Sequence, residues 1–266
     1  MATADIDPTE MPLTAHLAEL RMRLIWCVVG MVAAFFVCFY YAAPLFTFLT
    51  QPLCQIWPSE QSCKLIYTGL TEKFFSEVKI AFYGALYVAF PLIATQLWLF
   101  VAPGLYKKEK AAFLPFLIAT PVMFTAGAAF VYYLVMPVAW SFFLSFQSGS
   151  AGPTPEETAA LTVELLPRVM EYLDLCLKLI MAFGVAFELP VLLTLLARVG
   201  IIDTAWLKSN RKYAIVLAFV AAAILTPPDP LSQIALAIPI ILLYEGSIWA
   251  AALMSRKDRK ASEEKA

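Results

Sequence analysis

The chain has 266 residues, 61% of them hydrophobic and only 15% charged, with 19 Lys and Arg against 20 Asp and Glu. Soluble domains carry about 25% charged residues, so this balance, with a mean hydropathy of +0.76, excludes an ordinary soluble domain and points to a membrane protein. The net charge of −1 says little as a total, whereas the placement of the charges along the chain says a good deal.

After a tail over residues 1–12, the stretch "PLTAHLAELRMRL" spaces Leu13, Leu17, Leu20 and Leu24 as one apolar stripe of an amphipathic helix. Glu19 and Arg23 share another face at i,i+4. They read as an intrahelical ion pair of about 0.2–0.5 kcal/mol, or as a carboxylate awaiting a basic ligand. Residues 24–48 form the first predicted span, since about 20 apolar residues cross a hydrocarbon core of roughly 30 Å. No basic stretch and cleavage site frame it, so it is expected to be retained. The connection 50–73 holds Cys54 and Cys63, whose spacing fits a small disulfide-closed loop and two unpaired thiols equally well. Cys27, Cys38 and Cys176 read as packing residues.

The second span, 74–101, leads through "APGLYKKEKAAF" into the third, 113–143. Glu109 lies among three lysines there, a solvated loop by default. A further connection over 144–167 precedes the fourth span, 169–199, which carries Glu188 near its middle. A charge at that depth costs about 2.5–3.5 kcal/mol on insertion scales, and such residues face a protein interior or a wet cavity. A protonated carboxyl bonded to neighbouring backbone is the structural alternative. The last two apolar segments, 213–225 and 231–254, are separated by "TPPDP". The apolar part of the first reaches only about 18 Å as a helix, so the pair lies in thinned bilayer or dips in and returns. Asp229 suits a helix N-cap at the tip, Gln233 follows it, and Glu245 sits near the far end of the last span. A charged tail covers 255–266.

Fourteen of the nineteen basic residues fall in four clusters, around Arg21 and Arg23, Lys107 to Lys110, Arg198 to Lys212, and Arg256 to Lys265. Six crossings with both termini cytoplasmic satisfy that distribution. Prolines 91, 121, 137, 190 and 239 fall inside the spans and predict kinked helices, which suit a concave wall. The expected architecture is thus an all-α, six-span membrane domain over 13–254 with a short final hairpin.

The chemistry is narrowed by what is missing. There is no GxxxxGK[ST], HExxH or CxxC, and His16 is the single histidine, so neither an enzyme nor a metal or other cofactor is expected. A secondary transporter using Glu188 as a proton site is the main rival. Such folds show internal repeats with matching broken helices, and no such self-similarity is visible.

Taken together, "HLAELRMRL", "QLWLFVAPGLYKKEK", "AFGVAFELPV" and "RKYAIVLAFVAAAILTPPDPLSQIALAIPIILLYE" resemble the TatC family, multispanning core subunits of twin-arginine protein translocases. The resemblance runs from about His16 to Glu245 with spacing intact. It implies a receptor and scaffold in the bacterial cytoplasmic membrane that binds signal peptides bearing two consecutive arginines and exports folded proteins. The proton-motive force would drive export, with the single-span TatA and TatB as partners, several copies per complex and no role for nucleic acid. By the same resemblance Glu19 and Glu109 would recognise the arginine pair, with Arg21, Arg23 and Phe100 nearby. Glu188 would line the concave cavity, Pro52 would match an outer-loop proline, and Pro227, Pro228, Asp229 and Gln233 would form the hairpin tip. The sequence departs in "KKEKAA", where arginines are commoner, in "LKSNRKY", in Pro230, and in the Cys54 and Cys63 pair, which is not an expected family feature.

Overall fold

The computed structural model describes residues 13–57, 63–101, 110–145, 166–225 and 230–263. Among the described residues the chain is almost wholly helical: α1 (Leu13–Tyr40), α2 (Ala42–Ile56), α3 (Glu72–Val101), α4 (Lys110–Phe130), a π-helical turn (Val131–Val135), α5 (Met136–Ser145), α6 (Val169–Ala186), α7 (Leu189–Arg198), α8 (Thr204–Ser209), α9 (Arg211–Leu225) and α10 (Pro230–Glu263). Among the described residues five segments are long and apolar enough to cross a membrane: Leu17–Tyr40, Glu72–Phe100, Pro115–Leu144, Val169–Arg198 and Leu236–Met254. The sixth, α9, has 15 residues and so spans about 22 Å, short of a full hydrocarbon core. The expected short hairpin is therefore α9 with the membrane-facing part of α10.

The first span differs from the sequence reading. It is Leu17–Tyr40, continuous with the amphipathic stretch, rather than 24–48. Pro44 lies in the first turn of α2, where a missing N–H breaks no helical bond, so the helix stops at Tyr41 and a new one begins. Several apolar residues of α2 are covered by protein: Leu49 and Leu53 pack into the main core with Ile80, Met136, Leu173 and Leu179. By contrast only 6% of the α1 window is buried, so that surface is left for lipid.

The kinks have specific causes. Pro137, the second residue of α5, cannot donate to the carbonyl four residues back, and the ladder widens into the π-turn immediately before it. In three spans a proline is followed four residues later by threonine. The Thr95 and Thr125 hydroxyls donate to the Pro91 and Pro121 carbonyls at 2.6 and 2.8 Å, and Thr194 donates likewise to Pro190. The hydroxyl is thereby satisfied without water, and such back-bonding favours bending.

Two close approaches set the packing. A Cβ on Gly127 of α4 would lie 2.5 Å from the Phe183 carbonyl of α6, and one on Gly184 would lie 2.6 Å from the Phe124 ring, so these helices meet where side chains are absent. On the other side α1 and α3 run antiparallel, with Gly30 against Leu92 and Cys38 against Gly84.

One end of the bundle is stitched across long sequence distances. Cys54 and Cys63 form a disulfide with Cα atoms 5.4 Å apart, deciding the alternative that spacing left open. Ile66 bridges Arg168 through two main-chain hydrogen bonds, to the Pro167 carbonyl and from the Val169 amide. The Glu72 carboxylate accepts from the Thr68 and Gly69 amides at 2.6 and 3.1 Å and from the Met170 amide at 3.3 Å. Burial together with the charges of Glu77 and Glu72 pushes the Tyr67 phenol at this end above its usual range.

Candidate functional site

At the opposite end, Glu19 and Arg23 occupy successive turns of α1. The Arg23 Nε donates to Glu19 Oε1 at 3.2 Å and its Nη2 bonds the same oxygen, so the expected i,i+4 pair is formed. Both side chains are about three-quarters covered, at 28% and 20% exposure, which keeps the carboxylate oriented rather than freely swinging. Arg21 points outward and is exposed. The α1–α3 register that sets Gly30 against Leu92 and Cys38 against Gly84 places Phe100 level with Met22, between the two arginines. The pairing of the two helices thus brings Phe100 to the level of the turn that carries Glu19 and Arg23, while Arg21 lies on the exposed side of that turn. Glu109 lies outside the described residues, eight positions beyond the end of α3.

Glu188 occupies a break in its span. The sequence reading gives one kinked helix over 169–199; α6 instead ends at Ala186, Phe187 and Glu188 form a turn, and α7 begins at Leu189 with Pro190 in its first turn. The Glu188 carbonyl still accepts from the Leu192 amide at 2.8 Å, so the backbone is satisfied while the side chain is turned to α4. The polar groups beside its carboxyl are the Thr120 hydroxyl and the Phe124 main chain. Thr120 in turn accepts from the Trp98 indole of α3 at 3.1 Å, and both residues are buried. Glu188 Oε1 is buried without a hydrogen-bond partner among the described residues. A buried acceptor left without a partner is unfavourable by about 1–3 kcal/mol, so this oxygen can accept a donor supplied by something else.

Trp98 and Thr120 were not legible as site residues. Each looks like an ordinary member of an apolar helix, and only the meeting of α3, α4 and the α6–α7 turn joins them to Glu188. In the α1–α3 register Trp98 is level with Leu24, so Glu19 and the Trp98–Thr120 pair are offset by about 8 Å along α1.

The span ends beyond Glu188 at a glycine stop. Gly200 has φ +80°, its amide donates to the Ala197 carbonyl at 3.2 Å and the Ile201 amide to Leu196 at 3.0 Å. Asp203 then caps α8 by accepting from the Trp206 amide at 2.5 Å. Arg211 at the start of α9 pairs with Glu245 of α10 at 2.7 Å, and the Tyr244 hydroxyl donates to the Leu207 carbonyl at 2.9 Å. Further along the hairpin, Gln233 donates to the Phe219 carbonyl at 3.2 Å and so ties α10 to α9. Pro227, Pro228 and Asp229 lie outside the described residues, and Pro52 is buried within α2.

Comparison with known proteins decides what this arrangement belongs to. Residues 15–239 match the family model described as Sec-independent protein translocase protein (TatC). The chain belongs to the TatC family. It is 48% identical over 255 residues to the TatC of Magnetococcus marinus, covering 95% of this chain and 89% of the relative. It is 39% identical to that of Aquifex aeolicus, covering 94% and 98%. A crystal structure of a twin arginine translocase receptor, TatC, superposes with a TM-score of 0.76 at 37% identity, over 90% of this chain and 99% of the other. The protein is therefore a multi-pass membrane subunit of a Sec-independent protein translocase, with the helical architecture of the solved TatC.

Proposed function

We propose that this TatC-family protein is the signal-peptide receptor and scaffold of a twin-arginine translocase in the bacterial cytoplasmic membrane, with both termini on the cytoplasmic side. The observation that carries the reading is the oriented Glu19 carboxylate on α1, about 5 Å along that helix from the level of Phe100 and about 8 Å from the level of the Trp98–Thr120 pair that adjoins Glu188. The likeness to a solved twin arginine translocase receptor supports it.

The chemistry runs as follows. A guanidinium offers a planar fork of donors that a carboxylate accepts bidentately, whereas lysine does not reproduce that fit. Glu19 begins paired with Arg23, but an i,i+4 pair of this kind contributes only about 0.2–0.5 kcal/mol. A signal-peptide arginine able to make two charge-assisted bonds therefore competes for the carboxylate at little loss. Glu109, in the connection between α3 and α4, supplies the second acceptor. Arg21 and Arg23 limit the site to a ligand whose own positive charges lie at a defined spacing, and Phe100 offers a face for a guanidinium or an apolar side chain.

The apolar segment that follows the arginines lies along the wall towards Glu188, whose unpartnered oxygen accepts a polar group of the peptide or of a partner helix. The α9–α10 hairpin presents a docking edge for TatA and TatB, where packing and interhelical hydrogen bonds drive association. Energy comes from the proton-motive force, in keeping with the lack of a nucleotide-binding loop.

The direct test is photocrosslinking of a twin-arginine signal peptide to the assembled protein. Glu19→Ala and Glu109→Ala are each expected to reduce crosslinking roughly tenfold or more, as expected for loss of a hydrogen bond to a charged group. Full crosslinking in both variants would remove these carboxylates from the recognition site.

A further inference from the structure

Between α1, α2, α3, the α4–π-turn segment and α6 lies a half-open apolar cavity of about 330 Å³. Its back wall includes Ile80, Leu177 and the π-turn residue Tyr132, and its open side is formed by Phe48, Val88 and the neighbouring Tyr133, all exposed. The Tyr132 hydroxyl is turned out of it, donating to the Phe48 carbonyl at 2.9 Å while its ring stacks on Phe48. Lys178 follows the lining residue Leu177 and lies one helical turn before the lining residue Met181; it is exposed and within the Val169–Arg198 span.

We propose that this cavity and Lys178 form a binding site for one membrane phospholipid, with an acyl chain in the cavity and the phosphate on the Lys178 ammonium.

Two independent observations support it. The first is volume and polarity. A site so nearly free of polar groups does not hold water, and a methylene needs about the room of a water molecule, roughly 30 Å³, so the space takes on the order of ten carbons. In a bilayer the material available to fill it is lipid tail. The second is charge. Lys79 of α3 is already paired with Asp174 of α6 at 2.5 Å, and Lys178 follows Asp174 at i,i+4 on the same face. The three groups leave one uncompensated positive charge, and Lys178 makes no ion pair among the described residues. Lys178 lies nine residues into α6, about 14 Å from its start at the disulfide end. Side chains on a helix lean towards its N-terminus, so the ammonium reaches back towards the headgroups of that leaflet, where phosphates are the available counter-ions. On α6 the lining residues Ile180 and Met181 lie deeper than the ammonium, in the order in which a phospholipid presents phosphate and chain.

Native mass spectrometry of the full chain in neutral detergent, titrated with dioleoyl phosphatidylglycerol, dioleoylglycerol or glycerol phosphate, tests this. The wild type is expected to retain one phosphatidylglycerol, to bind dioleoylglycerol about fivefold more weakly, as one lysine–headgroup attraction predicts, and to hold no glycerol phosphate. Lys178→Gln should erase the difference between the two lipids. Ala129→Phe, which fills the cavity, should remove the retained lipid. Val88→Trp fills it from the exposed side, where folding tolerates the change, and should do the same. Equal binding of the two lipids by the wild type, undiminished retention in Val88→Trp, or binding of glycerol phosphate alone would overturn the proposal.

Discussion

The two ends of the bundle are built on opposite plans. At the disulfide end, contacts join residues about a hundred positions apart: Ile66 to Arg168, Glu72 to Met170, Thr68 to Arg168, with the Cys54–Cys63 bridge fixing the end of α2. At the Glu19 end Glu19 pairs with Arg23 inside one helix, and Arg211 with Glu245 and Tyr244 with Leu207 join residues 34 and 37 positions apart. The first plan closes the structure. The second pairs Glu19 with Arg23 within one helix, where a ligand can exchange with the intramolecular partner without opening the core.

This contrast breaks most sharply under charge reversal. Glu19→Lys combined with Glu109→Lys removes two acceptors, each worth about 1.5–3 kcal/mol to a guanidinium, and adds repulsion. Export of a folded reporter carrying a twin-arginine signal is expected to fall by about a hundredfold or more, with the thermal midpoint of the purified protein nearly unchanged. A large drop in that midpoint would mean the Glu19 end is structural as well.

The converse experiment comes next in size. Cys54→Ser opens a loop with a sequence separation of nine, and disulfides typically contribute about 2–4 kcal/mol. Thermal unfolding in detergent should shift downward while signal-peptide crosslinking is retained. Glu188 lies between the two plans: Glu188→Leu removes an oxygen with no partner, so stability should stay level or rise by about 1–3 kcal/mol while transport falls. Normal transport would make Glu188 a structural carboxyl. The smallest effect belongs to Arg23→Gln, which frees Glu19 from a pair contributing about 0.2–0.5 kcal/mol and should leave stability unchanged by calorimetry.

Much of this was open to reading along the chain. Span lengths, the i,i+4 relation of Glu19 and Arg23, and the anomaly of Glu188 in an apolar run are one-dimensional properties, because helices in lipid satisfy their own backbone and so reveal themselves by composition. The errors fell where composition has two explanations. Residues 42–48 begin a separate helix that packs into the main core through Leu49 and Leu53, yet they read as the tail of the first span. Pro190 announces a kink, but not that the helix stops at Ala186 and restarts at Leu189.

The sequence by itself determined an all-helical membrane protein, the approximate position of each long span, and which charged residues demanded an explanation. Tertiary structure alone decided which side chains meet: Glu188 with Thr120, Thr120 with Trp98, Lys79 with Asp174, and Cys54 with Cys63. The reason is physical. Hydropathy is a sum over neighbours in the chain, whereas a buried polar contact depends on the register of two helices, and that register is set by small residues such as Gly127 and Gly184 whose role appears only when their partners are in place.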